Sequence, residues 1–92
     1  MRLLLINPNT SSEITDLVVA SARRVASPGT VILGATGRFG PRYIVSRAGA
    51  AIAAHATLDA YAAHGGDADV VGLSCFGDPG LAGLRELASQ PV

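Results

Sequence analysis

One cysteine, Cys75, stands where an apolar run gives way to a turn, in the stretch LSCFGDPGL from Leu73 to Leu81. A thiol can act as base and as acid near neutral pH when its surroundings favour the thiolate. The sequence pattern supplies such surroundings: Asp78 reads as a helix N-cap and Pro79 as the first helical residue, so a positive helix end would lie just behind the thiol. The alternative is a small buried hydrophobe, as lone cysteines often are. Two cysteine chemistries fail on spacing. A phosphatase-type loop needs Arg six residues after the cysteine, where Leu81 stands, and a dithiol redox motif needs Cys at the position of Asp78. A single cysteine also excludes an internal disulfide framework and a Cys-rich zinc site.

A second group of candidates lies in Asn7-Pro8-Asn9-Thr10-Ser11. Asn9 and Thr10 offer side-chain and backbone donors suited to a carboxylate or an amide carbonyl, and a turn followed by a helix cap accounts for them as well. Asp78 could orient the loop or simply cap the helix behind it. Arg42 and Tyr43 fall in a Gly- and Pro-containing loop that reads as solvated. His55 and Asp59 sit four apart on an Ala-rich helix and read as a surface pair. Two His with no third ligand leave no expected metal site.

These residues are positioned by an alternating pattern. Arg2 to Asn7 is an apolar run closed by Pro8, as for a strand buried on both faces. Thr10 with Glu13 has the form of a capping box, and Ile14, Leu17, Val18 and Val25 then recur at helical spacing until Ser27-Pro28-Gly29. Thr30 to Ala35 reads as a second strand, TGRFGPRYIVSR from Thr36 to Arg47 as a loop, and the Ala-dense run from about Ser46 as a helix ended by a left-handed cap at Gly65 and Gly66. Asp69 to Ser74 is the third strand and LAGLRELAS the third helix. The order βαβαβα defines an α/β fold with a parallel sheet, and ligands of such sheets bind at the carboxyl ends of the strands. Asn9, the Arg38–Tyr43 loop and Cys75 all map to that edge.

Seven basic and seven acidic residues balance and are scattered, which argues against a nucleic-acid or anionic-membrane footprint. Every basic residue other than His is Arg, so neither a Walker A lysine nor a lysine Schiff base is available. The first strand leads into NPNTSS without a Gly-x-Gly, and nothing indicates a nucleotide. The opening MRLLLINPNT is too short in apolar residues for a secretion signal, and no run approaches the ~20 residues of a membrane span. A cytoplasmic protein is expected. Three strands leave two open sheet edges, and a chain of 92 residues has a modest core. A partner surface, self-association as a homo-oligomer, and a fourth strand beginning at Pro91-Val92 are therefore expected, with residues 1–92 forming one fragment of a longer fold.

The stretches INPNTS at Ile6 to Ser11, RFGPRYI at Arg38 to Ile44, RAGAAIAAHATLDA from Arg47 and CFGDPGL at Cys75 to Leu81 occur in order along nearly the whole chain. With them the sequence resembles the Asp/Glu/hydantoin racemase superfamily, most of all its hydantoin racemase branch. The resemblance implies a cofactor-independent enzyme of two similar α/β lobes, with one cysteine from each flanking the acidic α-carbon of a small-molecule substrate. It implies that residues 1–92 are the N-terminal lobe, without the second lobe and the C-terminal return segment. Cys75 matches the first cysteine, Asn9 and Thr10 the substrate-anchoring turn, and Phe76 and Gly77 the loop whose backbone amides face the substrate. The second cysteine has no counterpart here, so the chain alone is expected not to racemise. Asp/Glu racemase or maleate isomerase-like chemistry on the same scaffold, and a non-catalytic interaction lobe, are the competing expectations.

Overall fold

The computed structural model describes all residues, Met1–Val92, in the order β1 (Arg2–Asn7), α1 (Ser12–Val25), β2 (Val31–Thr36), α2 (Arg47–His64), β3 (Val70–Leu73) and α3 (Leu81–Leu87). A short 3-10 turn at Gly65–Asp67 links α2 to β3. The sheet is parallel with strand order β2-β1-β3, so the first strand is central and the later two flank it. Register pairs Ile6 with Ala35 on one side and Leu73 on the other. The α/β class and the parallel sheet follow the alternation of the sequence, while the strand order is a tertiary result. None of the helices is long and apolar enough to cross a membrane.

Side chains alternate across the sheet, and the two faces are built differently. Leu4, Ile6, Ala35 and Val71 join Ala60 of α2 and Leu84 of α3 in the main apolar cluster. The buried positions of α2 are Ala53, Ala56, Thr57 and Ala60, all small, so the helix backbone lies close to its neighbours. The clearest consequence is at Gly80, where a Cβ would come within 2.8 Å of the Ala54 carbonyl oxygen. On the opposite face α1 buries Thr15 and Val19 rather than the Leu17 and Val25 of the helical pattern, which are exposed. Gly34 of β2 explains the choice: a Cβ there would meet methyl groups of both Thr15 and Val19 at 2.8 Å. The missing side chain lets α1 seat on β2 through those two residues. Ile14 and Val18 of α1 are left half-buried, on a wall described below.

Strand ends shift by a residue, α3 stops at Leu87, and three helix caps differ from the sequence expectations. The cap of α1 is Ser11, whose hydroxyl accepts from Ile14 N, and the Thr10 backbone N–H that a capping box would offer to Glu13 is directed to the Pro41 carbonyl at 3.1 Å. No left-handed residue closes α2: Gly65 has φ −75°, and its lack of a side chain is needed instead because a Cβ would collide with the Tyr61 ring. The third helix begins at Leu81 with Gly80 as N-cap at φ 82°, and Asp78 is not the cap but a turn residue at φ 46°. The reason is that Pro79 is held from outside the loop. Its carbonyl accepts from the buried Thr57 hydroxyl at 2.9 Å, and Gly80 packs on α2, which together delay the helix by two residues.

The C-terminal residues are tied down. Gln90 donates to the Gly65 and Ala68 carbonyls and accepts from the Tyr61 hydroxyl. Val71 N donates to Pro91 O at 2.9 Å, and Val92 packs against the main cluster. One rung is thus formed on β3 by Pro91, without a regular fourth strand.

Candidate active site

At the carboxyl edge of the sheet the three loops are bound to one another through backbone groups. Gly37 N donates to the carbonyls of Asn7 and Asn9 at 2.8 and 2.9 Å, and Thr10 N donates to Pro41 O, joining the loops after β1 and β2. A Cβ at Gly37 would lie 2.8 Å from the carbonyl oxygens of both Pro8 and Asn9, so only glycine lets the two loops touch. Ser74 N donates to Ile6 O and continues the β1–β3 ladder one residue beyond the strand. Asp78 N donates to Cys75 O at 3.0 Å, closing the tight turn Cys75–Asp78.

Two concavities meet at this edge. The larger, ≈ 560 Å³, is lined by Ile14 and Val18 of α1 and by Leu73, Ser74, Cys75, Phe76 and Asp78. The smaller, ≈ 250 Å³, is lined by Asn7, Asn9, Ile14, Tyr43, Ile44, Ser74 and Cys75. Cys75, Ser74 and Ile14 belong to both walls. The thiol is free and half-buried, so Cys75 is not the fully enclosed small hydrophobe that packing alone would give. Phe76 beside it is fully exposed, and Gly77 has open space around its Cα.

Asn9 shares the smaller concavity with Cys75, although the two lie far apart in the chain. Its carbonyl oxygen is used internally, accepting from Ser11 N at 2.9 Å and from Asn7 Nδ2 at 2.7 Å. Its NH₂ has no partner in the chain. Every buried side-chain nitrogen and oxygen does have one, so this NH₂ is reached by solvent. Thr10 is half-buried and does not line either concavity. Asp78 lines the larger one. Tyr43, read from the sequence as solvated, forms part of the smaller wall, with the Arg42 guanidinium 5.6 Å above its ring. Ile14, Ile44 and Ser74 are wall residues given no role from the sequence, and Asn7 is a fourth, placed there only as part of the loop Asn7–Ser11. Asn7 alone left a signal, as a polar residue ending an apolar strand.

The helix start expected behind Cys75 is displaced. Leu81 is the first residue of α3, six positions after the cysteine, and the helix has only seven residues. The helix end that shares a wall with Cys75 is that of α1, whose first-turn residue Ile14 lines both concavities.

His55 and Asp59 do not form a pair. The His55 ring meets Phe39 edge-on at 4.8 Å, and Asp59 accepts two hydrogen bonds from Arg38, at 2.7 and 2.8 Å. Both contacts fasten the Arg38–Tyr43 loop, and so the Tyr43 wall, onto α2. The hydrogen bonds from Arg38 hold the Asp59 carboxyl below its ordinary value of 3.8; desolvation opposes this, and the charges of Arg38, His55 and His64 assist. Because the folded value is depressed, the clamp is complete above the ordinary carboxylate range and weakens as pH falls through the folded value. A ¹³C titration of the Asp59 carboxyl is expected to give a midpoint below 3.8, and Arg38→Gln to bring it back up. An unchanged midpoint in Arg38→Gln would remove the clamp.

Fold and edge together define an open α/β protein with two adjoining concavities at the carboxyl ends of its parallel strands, one of them lined by both Cys75 and Asn9. Residues 3–92 match the family model described as Asp/Glu/Hydantoin racemase, and the chain belongs to that family. It is 36% identical over 94 aligned residues to a hydantoin racemase from Paenarthrobacter aurescens, covering all of this chain and 40% of that protein. It is 30% identical over 95 residues to a hydantoin racemase from Pseudomonas sp. (strain NS671), covering 37% of that protein. Among solved structures, allantoin racemase from Klebsiella pneumoniae superposes with a TM-score of 0.93 at 43% identity, over the whole chain and 38% of that structure. Allantoin racemase from Pseudomonas fluorescens gives 0.95 at 39% identity, over 39% of that structure. The chain thus spans about two fifths of the length of these relatives.

Proposed function

We propose that this chain is the N-terminal lobe of a cofactor-independent racemase, in which Cys75 is the acid–base at C5 of a 5-substituted hydantoin. The observation that carries this reading is that Cys75 and Asn9 line one ≈ 250 Å³ concavity, while the Asn9 NH₂ has no partner in the chain. The names of the relatives support the substrate class, since allantoin is itself a hydantoin ring with a ureido group on C5.

The chemistry needs little beyond these groups. The C5–H of a hydantoin is acidified by the adjacent carbonyl. In the proposed step the Cys75 thiolate takes that proton, the C–H electron pair moves into the ring, and negative charge develops on the carbonyl oxygen. Hydrogen-bond donors already aimed at that oxygen lower the barrier. Asn9 is proposed to supply one and the backbone N–H of Phe76, on the adjoining wall, another; Thr10, whose hydroxyl has no partner in the chain, and the Gly77 N–H line neither concavity and are proposed to complete the set only once a second lobe closes the cleft. The first turn of α1 adds a positive helix end near the same wall. Return of the proton from sulfur to C5 completes the cycle.

One thiol serves one face of C5. Inversion in this scheme requires a second thiol from a second lobe, and the fully exposed Phe76 and the ≈ 560 Å³ apolar concavity beside Cys75 are surfaces such a lobe would cover. Self-association is part of the same proposal and is read by light scattering. The test of function is to incubate the chain in D₂O with a single enantiomer of a 5-substituted hydantoin. Deuterium is expected to enter C5 faster than in buffer while the optical rotation persists. Absence of protein-dependent exchange counts against the reading, and inversion by the chain alone counts against the need for a second thiol.

A further inference from the structure

The two asparagines of Asn7-Pro8-Asn9 are joined by a pair of hydrogen bonds that do more than close a turn. An asparagine side chain has a donating and an accepting end of nearly the same shape, so its neighbours decide which end points where. Asn7 is 2% exposed. Its Nδ2 lies 3.0 Å from the Ser11 carbonyl, which can only accept, and its Oδ1 lies 3.3 Å from the Asn9 backbone N–H, which can only donate. Fixed backbone groups therefore assign both ends of Asn7. They also assign Asn9, whose side-chain oxygen faces two donors, Ser11 N at 2.9 Å and Asn7 Nδ2 at 2.7 Å. Turned over, the Asn9 NH₂ would face both of them and lose both bonds. Thr15 Oγ1, 3.1 Å from Asn7 Nδ2 and 2.7 Å from Thr36 Oγ1, packs the third side of the network.

We infer that Asn7 is a positioning residue that holds the Asn9 amide oxygen inward and its NH₂ toward the smaller concavity. The ligand is then met at this point by a donor, and the site favours a group that only accepts: a carbonyl, carboxylate or enolate oxygen. A hydroxyl or ring N–H in the same place would find no acceptor on Asn9. This deepens the proposed function and rests on it for the identity of the ligand, but the orientation itself is a property of the free chain.

The experiment follows side-chain NH₂ hydrogen exchange in the ¹⁵N-labelled chain without ligand. The Asn7 NH₂ is expected to be protected and the Asn9 NH₂ to exchange like an exposed amide. In Asn7→Asp a carboxylate oxygen replaces the donor facing Asn9, the Asn9 NH₂ turns inward to it, and protection moves to Asn9. In Asn9→Asp both internal bonds to the inward oxygen persist, so thermal stability is expected to stay at the wild-type level although the donor is gone. Equal protection of the two NH₂ groups in the wild type overturns the inference. So does a folded Asn7→Asp with Asn9 exchange unchanged. Should Asn7→Asp fail to fold, Asn9→Asp decides, because a clear loss of stability there would mean that the NH₂ is used internally. Titration with 5-methylhydantoin then tests the substrate reading separately. Its affinity is expected to fall about tenfold or more in both variants. A hydantoin that does not bind the wild type removes the ligand assignment and leaves the exchange result standing.

Discussion

Cys75→Ser is expected to lower the rate of deuterium entry at C5 of a hydantoin by about 10²–10⁴-fold, the usual contribution of a positioned acid–base group. A serine hydroxyl ionises far less readily than a thiol, so at neutral pH it supplies almost no basic form to take the C5 proton. Cys75→Ala should fall to the same level, because the proposed loss is of proton transfer and not of shape. Neither change is expected to move stability by more than about 0.5 kcal/mol, since the side chain is half-buried at the cleft wall and not part of the main cluster. The measurement is protein-dependent C5–H exchange by NMR, beside a urea titration of each variant. Persistence of wild-type exchange in both folded variants would assign the base elsewhere and return Cys75 to a packing role.

The stereochemical half of that result matters equally. A thiolate that takes a proton, exchanges it with D₂O and returns deuterium acts from one side of the ring, so the starting enantiomer should become labelled before it inverts. The proposed geometry therefore separates two rates that a complete pair of thiols would couple.

Leu84→Ala is expected to produce the largest loss of stability of any single truncation in α3, about 2–5 kcal/mol. Domains of this size have roughly 5–15 kcal/mol in all, so a substantial part of the total is at stake. Leu84 is 0% exposed and is the one buried residue of α3, inserted among Leu4, Ile6, Ala35, Ala60 and Val71. Its removal leaves a cavity and frees a seven-residue helix that has no side-chain cap. A fall in melting temperature of roughly 10–40 °C follows for a domain of this length. Leu87 is the internal control. It is exposed on the same helix, and Leu87→Ala should change stability by no more than about 0.5 kcal/mol. Urea unfolding followed by circular dichroism distinguishes the two, and equal effects would mean that α3 is not held through Leu84. Because the Cys75–Gly80 loop is tethered between β3 and α3, with Pro79 bound to Thr57, C5–H exchange by the folded fraction of Leu84→Ala should fall as well.

The sequence by itself determined the alternation of strands and helices, because each element carries its own signal: apolar runs bounded by Pro, Gly and Asp, and helical spacing between turns. It also determined which loops reach the carboxyl edge, since in a parallel α/β fold every strand ends there. Tertiary structure alone decided which residues meet. The order β2-β1-β3 sets β3 beside β1, and that adjacency brings Cys75 into one wall with Asn9. It also decided the helix ends, where local signals were outweighed by groups from elsewhere. The capping box at Thr10 lost its reciprocal bond because Pro41 claims the Thr10 N–H, and Asp78 lost the cap because Thr57 and Ala54 hold Pro79 and Gly80. The buried face of α1 was set by the side chain that Gly34 lacks, not by the helix's own apolar stripe. Caps and faces are choices among nearly equal local alternatives, differing by about 1 kcal/mol, and a single contact from a distant element is enough to settle them.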